Sequence, residues 1–87
     1  MTSSSVKLIN EAGLHARPAN LFIRLAKEFK SQITVEKDGV KVDAKGILGI
    51  LTLGAACGCT ITLEADGQDE KEAIEALQEL VESGFNE

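Results

Sequence analysis

Ile33-Thr34-Val35-Glu36-Lys37-Asp38-Gly39-Val40-Lys41-Val42-Asp43 decides the fold class. Apolar and polar residues alternate on both sides of Asp38-Gly39, so each arm reads as a strand with one face turned to a core. The Asp-Gly pair tolerates the positive φ angles that a two-residue hairpin turn demands. Toward the N-terminus, Leu21, Phe22, Leu25, Ala26 and Phe29 recur at three- and four-residue spacing and predict an amphipathic helix. Pro18 stands at its beginning, where a missing N–H does no harm. Glu11 to His15 reads as a loop with Gly13 free to take a positive φ. Val6-Lys7-Leu8-Ile9 reads as a strand ending at Asn10.

Toward the C-terminus, Ile47-Leu48-Gly49-Ile50-Leu51 is a short apolar run confined by Gly46, Gly49 and Gly54. Its pattern suits a strand or a brief helix. Thr60-Ile61-Thr62-Leu63-Glu64 alternates again and reads as a strand. Asp69 is placed to cap a last helix whose apolar stripe is Ala73, Ile74, Leu77, Leu80 and Val81, ending near Gly84. The order β, α, β, β, short element, β, α predicts an α+β sandwich, an antiparallel sheet covered on one face by helices. No internal repeat or linker interrupts it, and Ser3-Ser4-Ser5 is the only biased tract.

The 87 residues fit a single domain, 1–87, with a small core and no room for a deep substrate cavity. With three Phe and no Trp or Tyr, that core is expected to be aliphatic. The formal net charge of −5 argues against nucleic acid as a partner. Its distribution is uneven. Residues 1–30 carry five basic and two acidic side chains, and residues 60–87 carry one basic and nine acidic. An acidic protein with a local basic region is suited to an acidic partner or a small anion. No apolar run reaches spanning length or makes a signal peptide, so no membrane insertion is expected. Cys57 and Cys59 are too few for a disulfide scaffold and too close for a typical bridge, and a reduced, cytoplasmic setting is expected. The pair is read as small residues in a tight turn, with no metal site expected.

His15 is the only histidine, at the loop-to-helix junction and outside the apolar stripe. Neither His15 nor Ala16 is a good helix cap, and a local rule broken in a consistent sequence marks a working site. N–H groups of a first helical turn lack intrahelical partners and lie at the positive end of the dipole, so they receive phosphate readily. Arg17 adds a planar fork suited to phosphate oxygens. Arg17, Asn20, Arg24 and Lys27 share one helix face. An imidazole with an unperturbed pKa of about 6.5 is available as a nucleophile near neutrality.

Gly13-Leu14-His15-Ala16-Arg17-Pro18-Ala19 closely resembles the active-site signature of the HPr phosphocarrier family of the sugar phosphotransferase system. The resemblance extends over essentially the whole chain, including Leu53-Gly54 and the Ser83-Gly84-Phe85 ending. It implies a four-stranded sheet in order 1-4-2-3, with the ambiguous run as a short second helix and three helices on one face. It implies that enzyme I, charged by phosphoenolpyruvate, phosphorylates Nδ1 of His15. The group then passes to a IIA domain during sugar uptake. Arg17 would neutralise the phosphoryl charge, and the amides of Ala16 and Arg17 would help hold it. Partner proteins would dock on Asn20, Arg24, Lys27, Ile47, Leu48 and Leu51, with the carrier acting as a monomer and needing no cofactor. A regulatory, nitrogen-type branch shares the signature. A binding module without phosphate chemistry would lack the histidine, and a free-standing hydrolase would need a second acid or base. One departure stands out. Kinase-regulated relatives carry a serine where this chain has Gly46, so control by phosphoserine is not expected; Ser31 is the nearest internal candidate.

Overall fold

A computed structural model describes residues 1–11, 13–14 and 16–85, with only the backbone of residue 16. The elements are β1 (Thr2–Lys7), α1 (Ala16–Lys27), β2 (Gln32–Lys37), β3 (Val40–Asp43), α2 (Ile47–Thr52), β4 (Thr60–Asp66) and α3 (Glu70–Glu82). The four strands form one antiparallel sheet in the order β1-β4-β2-β3. This is the expected α+β architecture.

The hairpin follows its turn chemistry. Asp38 and Gly39 both take positive φ, 51° and 82°, and Lys37 pairs with Val40 across them. That register sets Val35 opposite Val42 on one side and Leu63 on the other. Ile33, Val35, Ile61, Leu63 and Ala65 are buried on the covered face. The opposite face is polar, with the Ser5 and Thr62 hydroxyls 3.4 Å apart and Lys41 paired with Glu64 at 2.7 Å. The Glu64 contact raises the Lys41 pKa.

Three expectations need correction. The first strand begins at Thr2 and runs through Ser3-Ser4-Ser5, which pair with Glu64, Leu63 and Thr62. The inward hydroxyls there meet α3 instead of aliphatic side chains: Ser4 donates to Gln78 at 2.8 Å and Thr2 to Glu70 at 2.5 Å. The Thr2 hydroxyl, then the Met1 ammonium and the Gly67 N–H, hold the Glu70 carboxyl down to about 2. Second, α1 buries Ala19, Phe22, Ile23 and Ala26, while Leu21 and Leu25 are half-buried on its flank. The core is thus not purely aliphatic: Phe22 and Phe85 are its largest fully buried side chains.

Third, Asp69 stands at the start of α3 but does not cap it with its side chain. Its carboxylate accepts the Lys30 N–H (2.8 Å), the Ser31 N–H (2.9 Å) and the Ser31 hydroxyl. Three donors outcompete one cap bond. From the other side, Lys45 Nζ donates to the carbonyls of Phe29 (2.8 Å) and Ser31 (2.9 Å). The corner after α1 is therefore tied to both other helices. Helix α3 ends as a Schellman motif, with Phe85 N–H on Leu80 O and Gly84 N–H on Val81 O.

Two loops owe their path to glycine in different ways. A Cβ on Gly13 would lie 2.7 and 2.9 Å from the Cα and carbonyl carbon of Ala56, whereas a Cβ on Gly39 would meet open space. Gly39→Ala is expected to cost about 1–2 kcal/mol for a left-handed backbone alone. Gly13→Ala should cost a further 1–3 kcal/mol, roughly, as the added methyl displaces the facing chain. Urea denaturation measures both, and equal losses would show that the loop yields freely.

The Asp69 bonds give a pH signature. Its pKa is lowered, first by the Ser31 hydroxyl and then by the Lys30 N–H. A carboxyl depressed on folding contributes stability above its unfolded pKa and loses it as pH falls through the folded value. Asp69→Ala is thus expected to lower the Tm at neutral pH. The gap should close as the pH drops below the ordinary aspartate value of 3.8. Calorimetry across that range checks it; a gap unchanged in acid would assign the loss to packing.

Candidate phosphoryl-transfer site

The site's frame is the loop between β1 and α1. Asn10 is buried and donates through Nδ2 to the carbonyl of Gly13 at 2.9 Å, while the Gly13 N–H returns to the carbonyl of Asn10 at 3.1 Å. Leu14 is buried and its N–H donates to the carbonyl of Ala55 at 2.9 Å. The loop thus rests on residues 54–59, the segment leading into β4, and Gly13 permits the contact. Sequence reading passed over Asn10 as a strand end. An Asn three residues before a loop glycine is a turn-forming signal that could have found it. Ala55 gives no such signal, because it acts through its carbonyl.

His15 lies outside the described residues. Ala16 opens α1, whose first turn contains no acidic side chain. The backbone N–H groups of such a turn end on the positive pole of the helix. Pro18, third in the helix, removes only a donor that would have had no intrahelical partner. Arg17 is exposed, as are Asn20, Arg24 and Lys27 on the same face. Arg24 and Lys27 also occupy the last turn, where they complement the dipole.

Helix α2 packs against α1. It turns only Ile50 fully inward and leaves Ile47, Leu48 and Leu51 exposed by 38%, 78% and 39%. Gly49 lets this helix lie close to β3, since a Cβ there would sit 3.1 Å from Cβ of Val42. The structure therefore brings the basic strip and the apolar patch onto adjoining helices. Lys45 was missed. It ties the approach to α2 to the end of α1, and a lysine before an apolar run gives no hint of that.

Gly46 caps α2 with an extended backbone and no side-chain bond, and a Cβ there would come no nearer than 3.8 Å to the carbonyl of Asp43. Space for a side chain exists; the hydroxyl is missing by sequence alone. Ser31, the other candidate hydroxyl, is 1% exposed and bonded to Asp69. Cys57 is exposed, Cys59 is half-buried, and both are free thiols.

Surface depressions among the described residues are open ones. One is lined by Leu25, Glu79, Leu80 and Ser83, another by Ile9, Asn10, Glu11 and Gly84. No described helix is long and apolar enough to cross a membrane. The arrangement offers an anion-receptive helix end, an exposed guanidinium and an open apolar platform.

Comparison with known proteins agrees with this geometry. Residues 2–83 match the family model described as the PTS HPr component phosphorylation site. The chain is 45% identical over 87 residues to the phosphocarrier protein HPr of Neisseria meningitidis, covering 100% of this chain and 98% of that one. It is 48% identical over 82 residues to the HPr-like protein Crh of Halalkalibacterium halodurans, covering 94% and 98%. The crystal structure of HPr-C-His from Thermoanaerobacter tengcongensis superposes with a TM-score of 0.98 at 52% identity, covering 100% and 98%. A matched signature, a shared topology and full-length similarity place this chain in the HPr family of phosphotransferase-system phosphocarriers.

Proposed function

We propose that the chain acts as one HPr domain, a monomeric cytoplasmic carrier that takes a phosphoryl group on Nδ1 of His15. Enzyme I, charged by phosphoenolpyruvate, is the donor, and a IIA domain serving sugar uptake is the acceptor. The observation that carries this reading is the Gly13–Ala19 signature at the entrance of α1, a helix end without acidic side chains and with Arg17 exposed beside it. On charging, the neutral imidazole nitrogen of His15 attacks phosphorus, so that a new N–P bond forms as the bond to the donor breaks. On discharge the acceptor's nucleophile attacks phosphorus and the N–P bond breaks, returning the neutral imidazole. The amides of Ala16 and Arg17 would receive the phosphoryl oxygens, and the Arg17 guanidinium would offset their charge. The open platform leaves water exclusion to the docked partner.

Docking falls to Asn20, Arg24, Lys27, Ile47, Leu48 and Leu51. Exposed apolar side chains rimmed by basic ones suit a partner with an apolar recess and an acidic border. Serine-kinase control finds no hydroxyl at Gly46, and Ser31 is out of reach in the folded chain.

Incubation with phosphoenolpyruvate and enzyme I should add one phosphoryl group, seen by intact mass at neutral or alkaline pH. His15→Ala should add none, and Arg17→Ala should slow uptake by about tenfold or more. No gain with a competent enzyme I would sink the carrier reading. Leu48→Ala should raise the Kd for enzyme I by about tenfold. Because Leu48 is 78% exposed, stability should change by no more than about 0.5 kcal/mol. Unchanged titration calorimetry would remove Leu48 from the docking surface.

A further inference from the structure

Cys57-Gly58-Cys59 takes no part in the chemistry above, yet it sits at a junction of the fold. Residues Ala56–Cys59 form a turn closed by the Cys59 N–H on the carbonyl of Ala56 at 3.0 Å. Gly58 holds φ +92° there, and a Cβ on it would meet nothing within 4 Å. The same segment is bonded in two directions. The Gly58 N–H donates to the carbonyl of Leu8 (2.7 Å), and the Leu8 N–H donates to the carbonyl of Cys59 (2.8 Å). Immediately before the turn, Ala55 accepts the N–H of Leu14, the residue before His15. A change of shape in this turn therefore pulls on both ends of the loop that precedes α1.

The thiols differ in the way a reacting and a resolving cysteine differ. Cys57 is exposed, whereas Cys59 is half-buried and packs against the core. Accessible thiols with a neighbouring resolving partner are the ones that oxidise reversibly. We propose that Cys57 and Cys59 form a reversible intra-turn disulfide that slows phosphoryl uptake on the adjoining loop; the effect on uptake rests on the carrier reading above. The oxidant is a small-molecule disulfide. The Cys57 thiolate attacks one of its sulfurs, forming a mixed disulfide and expelling one thiolate. The Cys59 thiolate then attacks the Cys57 sulfur and expels the second. Two protein thiols lose two electrons and two protons, and the small-molecule disulfide leaves as two thiols.

The geometry explains why the mark is reversible and why it is felt elsewhere. A bridge across a single residue departs from relaxed disulfide geometry, and strained, exposed bridges are readily reduced. Closing it would draw the half-buried Cys59 toward Cys57 across Gly58, whose surroundings are open. The bonds to Leu8 and Leu14 carry that movement to the loop before His15.

The test uses the full chain treated with oxidised glutathione, read first without any activity. Intact mass should show the loss of two hydrogen atoms, reversed by dithiothreitol. Cys59→Ser should stop at the glutathione adduct. The amide resonances of Leu8 and Leu14 should shift on oxidation, and not in the Cys57→Ser/Cys59→Ser variant. Uptake of phosphoryl from enzyme I should fall by about tenfold or more in the oxidised protein, while the double variant stays insensitive. Only glutathione adducts or cross-linked chains, or equal uptake by oxidised and reduced protein, would overturn the proposal. If the reduced protein takes no phosphoryl group at all, the carrier reading fails, while mass and resonances still decide whether the bridge forms.

Discussion

The way the helices are joined depends on the corner at Phe29–Ser31. Helix α1 ends there with carbonyls to satisfy, and the chain must turn at once into β2. Asp69 holds the corner through two backbone N–H groups and a hydroxyl, and Lys45 holds it through two carbonyls. One comes from the start of α3, the other from the approach to α2. Ser31 is buried at this corner, where unmet polar groups would be costly, so both charges are put to structural use. Gly67 belongs to the same arrangement, because any Cβ there would strike Ser31. Helix α1 packs against both α2 and α3, and this knot joins the corner after α1 to each of them.

A relay must hold its cargo firmly enough to receive it and loosely enough to release it. An enclosed site of buried charges would bind a phosphoryl group tightly and trap it. Here the guanidinium is in water, where ionic contacts are worth about 0–1 kcal/mol. Dipoles and amides at a helix end are similarly modest contributors in an exposed position. The shallow surface therefore suits a group that is to be passed on. The rigid part of the site lies behind it, in the Asn10–Gly13 bonds and the Leu14–Ala55 bond.

Local signals were legible and distant ones were not. Asp38-Gly39 and Gly84 announced their structures because the requirement for positive φ is written in the residue type. The first strand was read too short because Ser3-Ser4-Ser5 has no apolar alternation; its inward hydroxyls answer to Glu70 and Gln78, far away in sequence. Asp69 was assigned to its own helix because a cap is the nearest use for an Asp, while its partners lie 38 and 39 residues back. Leu21 and Leu25 outrank Ala19 on any hydropathy scale, yet close packing beneath the helix selects the smaller residue. In the site, Arg17 and the exposed face of α1 could be read from spacing. Asn10, Lys45 and Ala55 act through backbone partners that spacing does not reveal.

The open cap of α2 bears on how such a chain acquires new control. Gly46 has the extended backbone that any residue adopts, and no neighbouring atom crowds the place of a Cβ. Serine is also the better helix cap of the two. A hydroxyl could therefore enter beside the exposed Ile47 and Leu48 without disturbing the fold, and an added charge there would change the surface far more than the stability. Gly46 leaves this end of α2 without a hydroxyl, at a capping cost of only about a few tenths of a kcal/mol.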